Sequence, residues 1–397
     1  MHLIEKINSW LIVGLLFFIS ISTAMGSLIS ALIFSLWLLH ANFRDQLLQI
    51  RSNPVAIASL LFFCIYIFGL FWSEDIQSGI EVVRKNWKFF MLPIFMLYVR
   101  KGHISLYINA FLASIFLSES LSYLIWFEII DPIFKASTDN PTVFMSHVVY
   151  NPLLAIAIYI VATRIIFDKP KSPILLFLGV FFLSTMIVNM FITGGRSGQI
   201  LFFVSIFIIA FQFFTKSFFK FFMVSLISSV IIFALAYSYS DLFKERVNQT
   251  IDNVREYESN RDTSVGRRIS FLINGVDVVM DNPFFGVGTG DLESEMKKAH
   301  LINTPEVRSP DNPHNSHLMV AIRLGFLGLL SFLWVFYVQI KSSSKIENKE
   351  LARLAFALPI LFFVACFGES YLSSHVTSLF YCVLSAVIYA QYEEKRT

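Results

Sequence analysis

Arg196 lies in Thr193-Gly194-Gly195-Arg196-Ser197-Gly198, between two strongly apolar runs. A glycine pair beside a guanidinium at a helix start suits an anion, because free backbone N–H groups, the helix dipole and the Arg charge point the same way. A tight turn whose Arg snorkels to lipid headgroups would use the same residues. Arg267 and Arg268 follow Gly266 at the opening of another helix, where cations oppose the dipole. They read either as a second anion clamp or as a solvated ion pair with Asp262 and its neighbours. His314, in Pro313-His314-Asn315-Ser316-His317-Leu318, comes just before a long apolar run. An imidazole there can accept a proton at neutral pH, and nearby arginines favour the uncharged form that a base needs. The alternative is an interfacial histidine that caps the helix together with Asn315. His317, one turn further on, is its neighbour on the helix face.

Weaker constellations surround these. Arg323 falls about two turns inside the run that follows His314; an arginine at such depth lines a polar cavity or snorkels outward. His147, Tyr150 and Asn151 form a polar cluster at one end of a span and are candidates for the same cavity, with Glu369 and His375 as lesser ones. Asp291, Glu293 and Glu295 alternate, which would put carboxylates on one face only in an extended chain, so they read as a solvated acidic patch and not as a metal site. Phosphate-binding loops, dinucleotide fingerprints and HExxH motifs are absent, so nothing supports nucleotide or metalloprotease chemistry.

The elements that hold these residues are apolar. Of 397 residues, 56% are hydrophobic and only 15% charged, too little polar surface for soluble domains of this size. A net charge of +3 offers nothing to nucleic acid, and Cys64, Cys366 and Cys382 sit in apolar runs without a CxxC pair. Against the roughly 20 residues a spanning helix needs, twelve blocks stand out, near 8–25, 27–41, 54–73, 86–100, 104–127, 147–167, 172–192, 197–214, 217–238, 316–340, 351–368 and 374–391. The first resembles a signal peptide, but its nearly neutral start and the block that follows at once favour a retained span. Lys and Arg concentrate in the even-numbered connections, including Arg44, Arg51, Arg100, Lys101, Lys169, Lys171, Lys216, Lys220 and Lys341, and at Lys395 and Arg396. This predicts cytoplasmic termini. The expected organisation is all-α and polytopic: spans one to nine in residues 1–237, one large structured periplasmic loop in 238–315, and spans ten to twelve with a cytoplasmic tail in 316–397. Within the loop, a polar helical run over 239–259 precedes an amphipathic helix capped by Ser264 and stopped by Asp281-Asn282-Pro283. The candidate groups all fall at ends of spans on the loop's side or in the loop itself, where no nucleotide is supplied, so a donor must arrive already activated.

Three segments together resemble the O-antigen ligase/polymerase family of bacterial membrane glycosyltransferases. They are Thr193 to Gly198; Gly266-Arg267-Arg268 followed by Asn282-Pro283-Phe284-Phe285-Gly286-Val287-Gly288; and His314 to Leu318 running into Gly325-Phe326-Leu327-Gly328. The resemblance covers the second half of the chain. It implies that Arg196 and Arg268 hold a lipid-linked diphosphate and that His314 is the base; Arg268 rather than Arg267 matches the family's spacing. Where that family often carries an acid on the tenth span, this chain has Arg323. The implied partners are an undecaprenyl-diphosphate-linked glycan donor, a lipid A–core acceptor and membrane lipids, with no cofactor, metal, nucleotide or nucleic acid. The implied setting is the bacterial inner membrane, with a periplasmic site. A single dominant polar loop is more similar to a ligase than to a polymerase of the family, and the main reading from another class is a twelve-span transporter. Transporters place charged or broken-helix sites near the bilayer midplane, whereas polar groups here cluster at one rim.

Overall fold

The computed structural model describes residues 2–39, 42–169, 172–307, 312–390 and 392; Lys171, Lys395 and Arg396, used above for orientation, lie outside them. Among the described residues there is no strand. The helices in chain order are α1 (His2–Phe18), α2 (Thr23–Leu38), α3 (Phe43–Ser52), α4 (Pro54–Phe68), α5 (Ile76–Lys85), α6 (Trp87–Leu97), α7 (Ile104–Trp126) and α8 (His147–Thr163). They continue as α9 (Pro173–Ile192), α10 (Arg196–Phe213), α11 (Phe218–Tyr239), α12 (Asp241–Arg255), α13 (Ser264–Asp281), α14 (Leu292–Asn303), α15 (Ser316–Ser343), α16 (Lys349–Gly368) and α17 (His375–Tyr389). Seven of them, α7 to α11, α15 and α16, are long and apolar enough to cross a membrane, and α4 and α17 are shorter apolar helices.

Among the described residues each expected apolar block overlaps a helix, but seven helices, not twelve, have the length and hydropathy of a crossing, and the boundaries change near the N-terminus. The block at 8–25 is divided, since α1 ends at Phe18 and α2 opens at Thr23 with the Ser22 hydroxyl accepting the Met25 N–H at 3.3 Å. A serine that can cap a helix start outweighs the continuity of hydropathy. The block at 86–100 yields in α6 a helix of 11 residues, short of a crossing.

The chain divides into two compact units. The first comprises Met1–Leu39, Tyr98–Val247 and Lys345–Leu361. Its centre is α8, which is buried over most of its length, whereas the phenylalanine-rich α11 is almost wholly uncovered. Helix α7 buries Glu119 together with Ser114, Ser118 and Ser122. The second unit comprises His40–Leu97, Asn248–Ser344 and Phe362–Thr397. There α4 packs on α15 and α6, and α17 on α6. Phe271 and Val278 of α13, Leu292 and Met296 of α14, and Leu318, Met319 and Ile322 of α15 form one apolar core. Each such side chain contributes about 1.5–3 kcal/mol on burial, which seats the polar segment's helices on the first turns of α15.

A second device holds that segment. Helix α15 is interrupted at Gly325, whose backbone is non-helical at φ 60° and ψ −155°. The stretch Pro283–Gly288 lies against the break: Val287 N–H donates to Ile322 O and Gly288 N–H to Arg323 O, while Phe326 N–H donates to Pro283 O and Leu327 N–H to Phe284 O. Thr289 then closes onto α4 through its N–H to Gly69 O and its hydroxyl to Tyr66 O. Helix α13 opens one residue earlier than expected, at Ser264 itself, because the Thr263 hydroxyl, not Ser264, caps it by accepting the Gly266 N–H at 3.0 Å.

Candidate active site

In the second unit, His314 sits two residues before α15, whose N-cap is Asn315, with its Oδ1 accepting the Leu318 N–H at 3.0 Å. The His314 backbone is left-handed, at φ 51°, a conformation uncommon outside glycine and tied to local constraint. Its N–H donates to Asn312 Oδ1, which also receives the Ser370 hydroxyl at 2.6 Å. The imidazole Nδ1 lies 2.8 and 2.9 Å from the two carboxylate oxygens of Glu369. An ionised carboxylate only accepts, so Nδ1–H is the donor toward Glu369, and in the neutral ring Nε2 carries the lone pair. Arg268, in the second turn of α13, brings a guanidinium nitrogen to 3.7 Å from Glu369 Oε2. Burial alone would raise the Glu369 pKa. The hydrogen bonds from His314 and the Ser370 N–H, with the charges of His314 and Arg268, outweigh burial and hold it below the ordinary carboxylate value. Phe271 stacks against the His314 ring at 6.4 Å between centroids. A base with its tautomer set by a carboxylate, and a half-exposed guanidinium beside it, can deprotonate a hydroxyl next to an anion.

In the first unit, Arg196 is the first residue of α10, and the turn before it rests on Asn151 of α8. A Cβ on Gly198 would lie 2.3 Å from Asn151 Cβ, and one on Gly195 2.5 Å from Asn151 Cγ, so only glycines allow this approach. The Thr193 hydroxyl lies 3.0 Å from Asn151 Oδ1. Tyr150 donates to Asn189 Oδ1, and Asn189 in turn donates to Ser122. Tyr150 and Asn151 are thus buried supports of the Arg196 turn. His147, at the start of α8, accepts from the Asn140 amide on Nδ1 at 2.7 Å, and Asn140 Oδ1 receives the Gly194 N–H. Arg246 joins this end of the unit: a Cβ on Gly194 would lie 3.8 Å from two of its guanidinium nitrogens. Both Arg196 and Arg246 act electrostatically on His147. Phe243, packed on Phe191 and Phe233, carries α12 to this position.

The remaining candidates have other partners. Arg267 points to Asp262, with its Nε at 3.9 Å from Oδ1. His317 is buried among Phe332, Phe363 and Phe367, its Nε2 3.0 Å from the Phe363 carbonyl oxygen. Arg323 turns inward to Tyr66 of α4. Asp291 accepts from the Ser73 hydroxyl and from the N–H groups of Glu74 and Asp75, while Glu295 pairs with Lys298. His375 lies beside Trp87. Glu369 and Arg246 are the two groups that sequence reasoning underweighted or missed. An acid following Phe367-Gly368 at a helix end was a faint signal for the first, and Arg246, inside a mixed-charge helix, gave none.

With seven helices long and apolar enough to cross a membrane among the described residues, the chain has the character of a polytopic membrane protein. Residues 179–333 match the family model described as O-antigen ligase (Wzy_C). That stretch takes in Arg196, Arg267, Arg268, His314 and Arg323, and its similarity to the O-antigen ligase model supports the family resemblance carried by the same motifs. No curated protein matches the chain.

Proposed function

We propose that the protein is an O-antigen ligase, moving a polysaccharide from undecaprenyl diphosphate to a sugar hydroxyl of lipid A–core at the periplasmic face of the inner membrane. The observation that carries this reading is the convergence of Arg268, Glu369 and His314 in one unit. His314 Nε2 takes the proton from the acceptor hydroxyl as its oxygen attacks the anomeric carbon. The bond from that carbon to the diphosphate oxygen breaks with inversion, and the charge that grows on the leaving diphosphate is met by Arg268; a diphosphate contact for Arg196 is what the family resemblance adds. Arginine suits this work, since its planar fork pairs with phosphate oxygens bidentately. Glu369 steadies the imidazolium that forms. Residues 1–237, 238–315 and 316–397 take the roles of membrane body, periplasmic loop and closing spans. A polymerase of the same family would share every one of these donor-side groups and differ in its acceptor.

The test is transfer by the purified full chain in detergent, given a glycan on a lipid diphosphate and lipid A–core, without nucleotide or ion gradient. Wild type should form the glycosylated acceptor, which a transporter would not. His314→Ala should bind donor and lose transfer, and Arg196→Lys should be crippled because a point charge cannot make the forked contact. Transfer at the wild-type rate by either variant removes that residue from the mechanism.

A further inference from the structure

Helix α13 carries two apolar arcs where a helix of a water-exposed loop needs one. The first, built on Phe271 and Val278, is buried against α14 and α15. The second runs through Val265, Ile269, Leu272, Val276 and Met280 at steps of three and four, with Ile273 beside it. Leu272, Ile273, Val276 and Met280 are 47%, 46%, 45% and 72% exposed. Each of these side chains forgoes in water the stabilisation that burial would bring, and a stripe of this length marks a contact surface.

The same unit shows what covers it. Beyond Met280 the exposed apolar surface continues into Phe284 and Phe285, 70% and 61% exposed. Their backbone is bonded to α15 at its break, next to Phe326 and Leu327, which are also exposed. From there the uncovered surface passes to Leu330 and Trp334 of α15, a helix long and apolar enough to cross the bilayer. Trp72 marks the junction: its ring lies 5.8 Å from that of Phe285 and its indole N–H donates to Phe285 O at 3.2 Å. Trp side chains favour the membrane–water interface, with ring in hydrocarbon and N–H satisfied. Polar groups border the stripe, with Arg268 at one edge and Asp277 at the other.

We infer that α13 is an interfacial amphipathic helix, its exposed stripe set among the lipid acyl chains of the bilayer that α15 crosses. Arg268, one turn before Leu272, is then held at the depth of the lipid phosphates. This would place the guanidinium level with a lipid-linked diphosphate, but the inference concerns lipid contact and stands apart from the transfer reaction.

Depth measurement on the full chain in phosphatidylethanolamine/phosphatidylglycerol nanodiscs tests it. In a Cys64→Ser background, which leaves two buried cysteines, nitroxides are attached at Leu272→Cys, Val276→Cys, Met280→Cys and, on the polar edge, Asp277→Cys. The three stripe labels should collide with oxygen and be shielded several-fold from a nickel chelate relative to the label at 277. Nickel exposure equal to that at 277 overturns the inference. So does spin–spin broadening that vanishes on dilution with unlabelled chain, which would make a second copy the occupant. Wild-type chain photolabelled with a diazirine phospholipid gives a check free of substitutions. Adducts should map to the peptide containing 269–280, and their absence there, with α11 labelled, counts equally against it.

Discussion

At Glu369 a half-buried charge, a histidine tautomer and an arginine contact all depend on one carboxylate. Replacing it with glutamine keeps the shape and one acceptor oxygen but removes the charge that supports an imidazolium and the second oxygen that accepts from Nδ1–H. Glu369→Gln should lower turnover about 10²–10⁴-fold with KM little changed, read from initial rates of glycan transfer. The same residue sets an acid limb of stability. Its folded pKa lies below the ordinary 4.5, so the folded state favours the charged form, and that contribution is complete above 4.5. It is lost as pH falls through the lower folded value, where protonation removes the His314 and Arg268 interactions. In detergent, the Tm of wild type should therefore fall more steeply below pH 4.5 than that of Glu369→Gln. Parallel curves would mean that Glu369 is not charged in the native protein.

Among the elements, the break in α15 depends on two facing glycines. A Cβ at Gly325 would lie 2.4 Å from the carbonyl carbon of Phe284, and one at Gly286 2.5 Å from backbone atoms of Ile322, Arg323 and Leu324. Both have positive φ, and the Gly325 backbone lies in a region that is essentially closed to other residues. Gly325→Ala should cost at least about 1–3 kcal/mol through strain, before the clash is counted. It should appear as a clear loss of Tm in detergent, whereas Gly102→Ala, where an added Cβ meets nothing within 4 Å, should be silent. The motif Asn282-Pro283-Phe284-Phe285-Gly286-Val287-Gly288 is thereby explained as a backbone seam. Its carbonyl and N–H groups pair with those that the interrupted helix leaves open.

For the molecule as a whole, the ligase reading makes a cellular prediction. Deleting the gene should leave rough lipopolysaccharide, with the lipid-linked polymer accumulating. Core capped by a single repeat would instead identify a polymerase. Gel electrophoresis of lipopolysaccharide from the deletion strain distinguishes the two.

Membrane residence and helical class were legible in the residues themselves, because hydropathy acts locally and helices satisfy the backbone within a single segment. The same holds for the turn at Arg196, the cap at Asn315 and the stop after Asp281, each settled by neighbours a few positions away. Local signals did not determine which charges meet. Arg267 and Arg268 are adjacent, yet one faces Asp262 and the other Glu369, and His314 finds its acid 55 positions along the chain. Asn151 beneath the Arg196 turn, Arg246 beside it and Pro283–Gly288 laid into the break of α15 were equally decided by tertiary packing. Such pairings arise when helices distant in sequence are brought together by buried apolar faces, and hydropathy and spacing do not encode which polar groups those faces carry into contact.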